Sequence, residues 1–393
     1  MAIVEFVTAG LSQMTVSRGV MVIIALGLMY LAVSKKFEPL LLLPLSFGML
    51  MANIPGANLS AYDTYTVLIE GQEIIRPGLM NFLYGGIVNV IYPPMIFLCI
   101  GSMTDFGPLI SSPKSVLIGI GGQFGIFVAF GLALLLGNVL SPHISGFDGF
   151  TLKEAASIGV IGGSDGPTSI YTAVRLAPDL LASISLAAFS YMALVPFIQP
   201  PIMRALTTDK ERVIKMPEPK RVTKKQKILF PIIMAIIVLL VVPTAGVLVG
   251  MFMLGNLIRE SGVTERFVRT LQNDFLNILT ILVGLSIGSS ATAEYFLTVK
   301  TLLIIFLGLV AFSMGTVGGM LVAKLLCKIT GGKVNPLIGN SGVSAMPMAA
   351  RISQKVGQQY NKDNHLLMHA MGPLVSSTVG SAVVAGIFLQ LFG

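Results

Sequence analysis

The sequence predicts an all-α polytopic membrane protein of about ten transmembrane helices, arranged as two inverted repeats that each carry a re-entrant helical hairpin. Three observations carry that prediction. Hydrophobic residues make up 54% of the chain and charged residues 11%, against roughly 25% charge in an ordinary soluble domain. Continuous apolar runs approach the roughly 20 residues that a helix needs to cross hydrocarbon, without the period-2 alternation of a membrane β-barrel. Two stretches interrupt them with glycine, proline and small polar residues: Gly162-Gly163-Ser164-Asp165-Gly166-Pro167-Thr168, and the run from Asn335-Pro336-Leu337-Ile338-Gly339 through Ser344 to Pro347.

Residues 1–17 are too polar to span and suit an interfacial helix; they lack the basic region and cleavage site of a secretory signal. A span over Val20–Val33 ends at Lys35-Lys36, which puts that end in the cytoplasm by the positive-inside rule. Pro39–Met51 leads back out. Residues 53–80, with Asp63, Glu70 and Glu73, read as an external loop. The third span, Phe82–Met103, contains Pro93-Pro94, which removes backbone donors and forces a break or kink. The fourth covers Val116–Leu140, and Leu180–Met203 follows the Asp165 stretch. Residues 204–227 hold nine Lys/Arg against Asp209, Glu211 and Glu218. They form a cytoplasmic loop, read as a solvated orientation signal, with a docking surface for a cytosolic partner as the alternative.

The second half repeats the pattern. Ile228–Val242 is a span, and Phe47–Asn53 resembles Val249–Asn256 with one extra residue. Spans follow at Phe275–Phe296, Leu302–Leu326 and Leu366–Leu391. Matching segments run in opposite directions by their flanking charges, which is the mark of an inverted repeat. The same count makes both broken stretches enter and leave on one side. The chain thus divides into a first repeat (1–203), a basic loop (204–227) and a second repeat (228–393).

Re-entrant backbone survives at membrane depth only when buried in protein or lining a wet cavity. Glycine and proline free its carbonyls, and with hydroxyls and a carboxylate these form the hard oxygen cage that a small cation needs. Asp165 is the prime ligand, since a carboxylate is costly in hydrocarbon; the plainer reading is a helix cap. Asn335 and Ser344 are ligands or, equally, caps and inter-helix hydrogen bonds. Arg351 either anchors the cytoplasmic face or guards the inner mouth and attracts an anion. Tyr191 lies deep in an apolar run, so its hydroxyl needs a buried partner. Cys99 and Cys327 read as buried structural thiols. His143, His365 and His369 form no metal motif, and the net charge of +8 sits mostly in one loop, so it is no nucleic-acid signal.

At these residues the chain resembles the membrane beta subunits of biotin-dependent, Na+-pumping decarboxylases, which act on oxaloacetate, methylmalonyl-CoA, glutaconyl-CoA or malonate. The likeness covers nearly the whole chain, from Tyr30-Leu31-Ala32-Val33 and Lys36-Phe37-Glu38-Pro39 through Gly101–Pro108 and the Asp165 motif. It continues through Asn335–Gly339 and Val343–Arg351 to His369-Ala370-Met371-Gly372-Pro373. The resemblance implies a bacterial or archaeal cytoplasmic membrane protein. A biotin carrier brings carboxybiotin from a carboxyltransferase alpha subunit. The beta subunit then decarboxylates it, consuming an external proton and driving Na+ outward. It further implies an elevator-type core and scaffold, a homotrimer in the bilayer, and a small gamma or delta membrane subunit. Carried over by position, it assigns Na+ binding to Asp165, Asn335, Gly339 and Ser344, catalysis to Asp165, Tyr191 and Arg351, and the carboxybiotin contact to Arg351. The chain departs from the family where Leu374 follows Gly372-Pro373 in place of an asparagine, which puts one cation ligand in question. No Met-Lys-Met biotinylation motif occurs, so the biotin belongs to a partner. On the residues alone, a Na+- or H+-coupled secondary transporter of a small organic anion fits the same repeat.

Overall fold

The computed structural model describes residues 13–69 and 72–393. The interfacial helix expected over residues 1–17 therefore falls almost wholly outside the described residues. The main helices, in chain order, are α1 (Val16–Ser34), α2 (Pro39–Ala52), α3 (Leu79–Val88), α4 (Tyr92–Met103), α5 (Ser115–Gly122), α6 (Phe124–Leu140), α7 (Leu152–Val160) and α8 (Gly166–Leu176). They continue with α9 (Leu181–Leu206), α10 (Lys224–Val241), α11 (Gly246–Ser261), α12 (Leu276–Ser290), α13 (Val299–Ile329), α14 (Met348–Tyr360) and α15 (Leu367–Phe392).

Among the described residues, five helices are long and apolar enough to cross a membrane, or up to seven if each of two bent pairs is one span. One bent pair is α3 with α4, at 65°. Pro93 and Pro94 open α4, where their missing N–H groups cost nothing, and the chain turns just before them. The break lies where the sequence anticipates it. The other pair is α9 with its leading turn, bent by 60° between Tyr191 and Leu194. Three of the ten anticipated spans fall short of the same test. Helix α2 has 14 residues, α11 has 16, and α10 opens with Lys224, Lys225 and Lys227.

Two expectations need correction. The loop expected outside holds an antiparallel ribbon, β1 (Thr64–Ile69) against β2 (Gln72–Pro77), so the chain is not wholly α-helical. The first strand is rich in β-branched and aromatic residues, which suit a pleated surface, and the second adds Ile74 and Ile75. Arg212 within the basic loop also departs from the solvated charge expected there, while Arg204, Lys210 and Lys215 around it are exposed. Arg212 is 8% exposed. Its guanidinium donates to Thr207 Oγ1 at 2.9 Å, Asp209 Oδ1 at 2.6 Å, Tyr360 Oη at 3.0 Å and the Arg204 carbonyl at 2.5 Å. A buried guanidinium needs this many acceptors to offset its lost hydration. Lys324 further ties the segment down through Glu211 at 3.6 Å and the Leu206 carbonyl at 3.0 Å.

Two helix crossings organise one side of the molecule: α2 packs on α12, and α4 on α11. Both are backbone against backbone. A Cβ on Gly48 would lie 2.7 Å from the Leu285 carbonyl, and one on Gly255 2.0 Å from the Leu98 carbonyl. A Cβ on Gly288 would meet the Leu45 carbonyl at 2.0 Å, and one on Gly101 the Phe252 carbonyl at 2.0 Å. Small residues permit such approach where no water drives helices together. The written match of Gly48 with Gly250 is therefore not the packing match. Gly250 meets nothing within 4 Å, and Gly255 takes its place. Around the broken stretches, α13 packs against α5, α6 and α9, while α15 packs against α5. Cys99 and Cys327 are buried free thiols, as expected.

Asp105, just beyond α4, accepts from Lys227 at 2.8 Å and from the Gly107 N–H at 2.8 Å. Burial raises its carboxyl, but the Lys227 and Gly107 hydrogen bonds outweigh that and hold it below the usual 3.8. A depressed carboxyl contributes stability above its unfolded value and loses it as pH falls through the folded one. Asp105→Asn is therefore expected to cost about 1 kcal/mol near neutral pH. The gap from wild type should close as pH drops below the ordinary aspartate range, read by thermal unfolding in detergent. A gap that stays open in acid would rule the ion pair out as its source.

Candidate functional site

Helix α7 starts with a capping box: Thr151 Oγ1 accepts from the Glu154 N–H at 3.2 Å, and Glu154 accepts from the Thr151 N–H at 2.8 Å. It runs for only 9 residues, about 14 Å, half the thickness of a hydrocarbon core. A short 3-10 turn over Ile161–Gly163 follows, and Ser164 takes the left-handed conformation at φ 56°. That turn delivers Asp165 to the N-cap of α8, where its Oδ1 accepts from the Thr168 N–H at 3.3 Å.

The cap uses half of the carboxylate. Asp165 is 5% exposed, and its Oδ2 has no hydrogen-bond partner; neither do Ser164 Oγ and Thr168 Oγ1. Buried oxygens without donors cost a few kcal/mol unless something binds them. Three of them in one turn, one anionic, suit a hard monovalent cation. Among the described residues no group of three His, Cys, Asp or Glu side chains could hold a metal ion.

The second stretch is built differently. Asn335 caps a 3-10 segment, Pro336–Gly342, and the chain then runs extended past Ser344 before α14. The two stretches touch. Ser344 N–H donates to the Gly163 carbonyl at 3.0 Å. Ser344 Oγ lies 3.2 Å from both Ser377 Oγ and Ser381 Oγ. Ser381 Oγ reaches Gln123 Oε1 at 3.3 Å, and Gln123 Nε2 donates to Ser377 Oγ at 3.1 Å. Gln123, Ser377 and Ser381 are functional candidates that the sequence reading missed. Their signals were a lone glutamine at the α5–α6 junction and two serines four apart on one face of α15.

The remaining predicted residues lie in varied settings. Gly339 packs on α13, where a Cβ would sit 2.6 Å from the Gly319 carbonyl. Asn335 is fully buried and its amide is occupied: Oδ1 accepts from Leu337 N–H at 2.9 Å, and Nδ2 donates to the Arg212 and Ile214 carbonyls at 3.1 and 2.8 Å. No hydrogen bond joins it to Asp165. Tyr191 is buried and its hydroxyl donates to the Ile305 carbonyl of α13, the partner its depth required. Arg351 is exposed on α14 and makes no ion pair among the described residues. Leu374 is fully buried in a cluster with Ile118, Leu337 and Val343, so aliphatic packing fills that position.

Residues 17–392 match the family model described as the Na+-transporting oxaloacetate decarboxylase beta subunit. The chain belongs to that family. The beta subunit of methylmalonyl-CoA decarboxylase from Propionigenium modestum is 50% identical, over 100% of this chain and 99% of the relative. The beta subunit of glutaconyl-CoA decarboxylase from Acidaminococcus fermentans is 48% identical, over 98% and 96%. The oxaloacetate decarboxylase beta chain 2 of Salmonella typhi is 45% identical, over 97% and 96%. This family member is thus the membrane subunit of a multi-subunit Na+-transporting decarboxylase, a multi-pass protein of the cytoplasmic membrane. Full-length relatives of this kind disfavour a stand-alone secondary transporter of organic anions.

Proposed function

We propose that this beta subunit removes the carboxylate from carboxybiotin and uses the free energy to move Na+ outward, with uptake of an external proton. The observation that carries the reading is Asp165: a buried carboxylate with one oxygen unpartnered, at the contact between two broken stretches. Asp165 and Ser344 are the ligands best supported for Na+, and Asn335 and Gly339 hold the second stretch against its neighbours. Leu374 adds no oxygen.

The biotin rides on a separate carrier subunit, loaded by a carboxyltransferase alpha subunit that sets which acid is used. When bound, it supplies the carboxylate that leaves as CO2 in exchange for a proton at the biotin nitrogen. The exposed Arg351 guanidinium, in the first turn of the helix whose far end meets the basic loop through Tyr360, is the chain's recognition group for that anion. Tyr191, held by the α13 backbone beside the first hairpin, positions that hairpin and is a second proton donor besides Asp165.

The architecture in this reading is two inverted repeats, 1–203 and 228–393, joined by the 204–227 loop, with hairpins around Asp165 and Asn335–Pro347. The reciprocal contacts of Gly48 and Gly255, and of Gly101 and Gly288, support it: each repeat lends the same pair of helices to the other. The short α7 and α8 suit a re-entrant hairpin. An elevator-like core, a homotrimer and a small gamma or delta membrane partner complete the proposal by family likeness.

The test is reconstitution in proteoliposomes with carboxylated carrier protein, following carrier decarboxylation and radioactive Na+ together. Uncoupled or Na+-independent decarboxylation would overturn the reading. In the same assay Arg351→Ala is expected to raise the apparent KM for carboxylated carrier about tenfold, the worth of one charge-assisted contact. Arg351→Lys should recover part of that, and Na+ affinity should stay level. An unchanged KM would return Arg351 to a membrane anchor.

A further inference from the structure

The C-terminal part of α13 carries a stripe that the ion site does not use. Leu321, Leu325 and Lys328 are exposed and follow one another at helical spacing, so they share one face. Two cavities open along that face, and Leu321 lines both. The first, about 470 Å3, is bounded by Lys324, Leu325 and Lys328. The second, about 400 Å3, lies between α13 and the α5–α6 pair, against Gly121, Gly318, Phe124 and Phe127, with no charged residue in its lining.

Glycine makes the furrow. A Cβ on Gly318 would lie 2.2 Å from the Gly121 carbonyl, so α5 and α13 touch backbone to backbone. Beside that contact the rings of Phe124 and Phe127 stand exposed. From Gly318 to Lys328 the helix rises about 15 Å, half of a hydrocarbon core and so one leaflet. Charge is confined to the far end. Lys324 Nζ donates to the Leu206 carbonyl at 3.0 Å and lies 3.6 Å from Glu211 Oε2, while Lys328 makes no ion pair among the described residues. Two ammonium groups thus face one carboxylate at the foot of an apolar groove one leaflet long.

We propose that this groove binds an anionic glycerophospholipid, with its phosphate on Lys328 and Lys324 and one acyl chain along Leu321 and the Gly121–Gly318 contact. Basic pockets between membrane helices hold anionic headgroups by this chemistry, and a zwitterionic lipid brings no net charge to the lysines. The proposal rests on membrane placement alone and is independent of the Na+ reading. The headgroup would stand beside the Lys324–Glu211 pair, which ties down the segment whose Arg212 and Ile214 carbonyls hold Asn335.

The chain has no tryptophan, so Phe127→Trp gives a fluorescent reporter for the groove alone. The full chain is reconstituted in mixed phosphatidylglycerol and phosphatidylcholine vesicles, with brominated acyl chains on one lipid at a time, and quenching gives the relative affinity. Phosphatidylglycerol is expected to be favoured about fivefold or more, the attraction of one or two lysines at a membrane surface. Lys328→Arg should keep that ratio and Lys328→Gln should bring it close to parity. Ile236→Trp, exposed on α10, is the control for basic charge alone, because Lys224 and Lys225 open that helix. Its preference should stay below about twofold, as screened surface charge allows. Parity in Phe127→Trp, or equal ratios in the two reporters, would overturn the site. Absence of quenching by either lipid in Phe127→Trp would also overturn it, since a second copy or another chain would then cover the groove. Soluble glycerol 3-phosphate should not change the ratio; displacement by it would replace a lipid site with one for free phosphate.

Discussion

Asp165→Asn is expected to abolish Na+-coupled decarboxylation, by at least about 100-fold, the scale seen when one group that stabilises a developing charge is removed. The fold should survive. Asparagine is as good an N-cap as aspartate, so the acceptor for the Thr168 N–H, now at 3.3 Å, is retained. What disappears is the negative charge of a carboxylate one of whose oxygens has no hydrogen-bond partner. Thermal stability without Na+ should therefore change by less than about 1 kcal/mol, while Na+-dependent protection is lost. Full Na+-stimulated turnover in this variant would remove Asp165 from the mechanism.

Gly122→Ala is expected to be the most damaging single methyl among the described glycines. A Cβ there would lie 1.6 Å from the Gly342 carbonyl, so the end of α5 and the second stretch cannot coexist as they are. Overpacking of a filled interior costs about 1–3 kcal/mol, and more when backbone must move. Gly342 lies two residues before Ser344, so the shift also breaks the Ser344–Gly163 bond and with it the contact between stretches. Folded yield by size exclusion and Na+ binding should both collapse. Gly131→Ala on the neighbouring α6 is the control: nothing lies within 4 Å of its Cβ, and it should behave as wild type. Equal tolerance of both substitutions would mean the seam is looser than this packing.

Much of the site was legible from residue chemistry because a membrane makes exceptions conspicuous. A carboxylate flanked by glycines and a proline has few uses in hydrocarbon; Asp165 caps α8 through one oxygen and leaves the other without a hydrogen bond. Ser344 meets the first stretch through the Gly163 carbonyl, a contact that its residue type alone did not specify. Gln123, Ser377 and Ser381 escaped because they sit inside runs that read as spans, where average hydropathy hides a single polar face. The β-ribbon escaped because residues 53–80 were judged on charge rather than on the alternation in Thr64–Ile69. Arg212 was misjudged for the same reason. Positive charge describes where a loop lies, but Arg212 is buried by acceptors from four separate residues. Asn335 is the subtler case. An amide near a broken helix suggests a ligand, and only its donors to the Arg212 and Ile214 carbonyls reveal a clasp between loop and stretch.

That clasp sets the length of a leash. Upstream of it, residues to Ile214 are bound to the second stretch; downstream, Lys227 is fastened to Asp105. Between them only Lys215–Thr223 lies free of any helix, and it includes Pro217 and Pro219. Nine proline-stiffened residues reach about 28 Å at roughly 3.1 Å each. Any travel of the Arg212 knot past the Asp105 anchor is capped near that distance, whatever the membrane does. Lengthening this segment with glycines would leave every contact intact and raise only that ceiling.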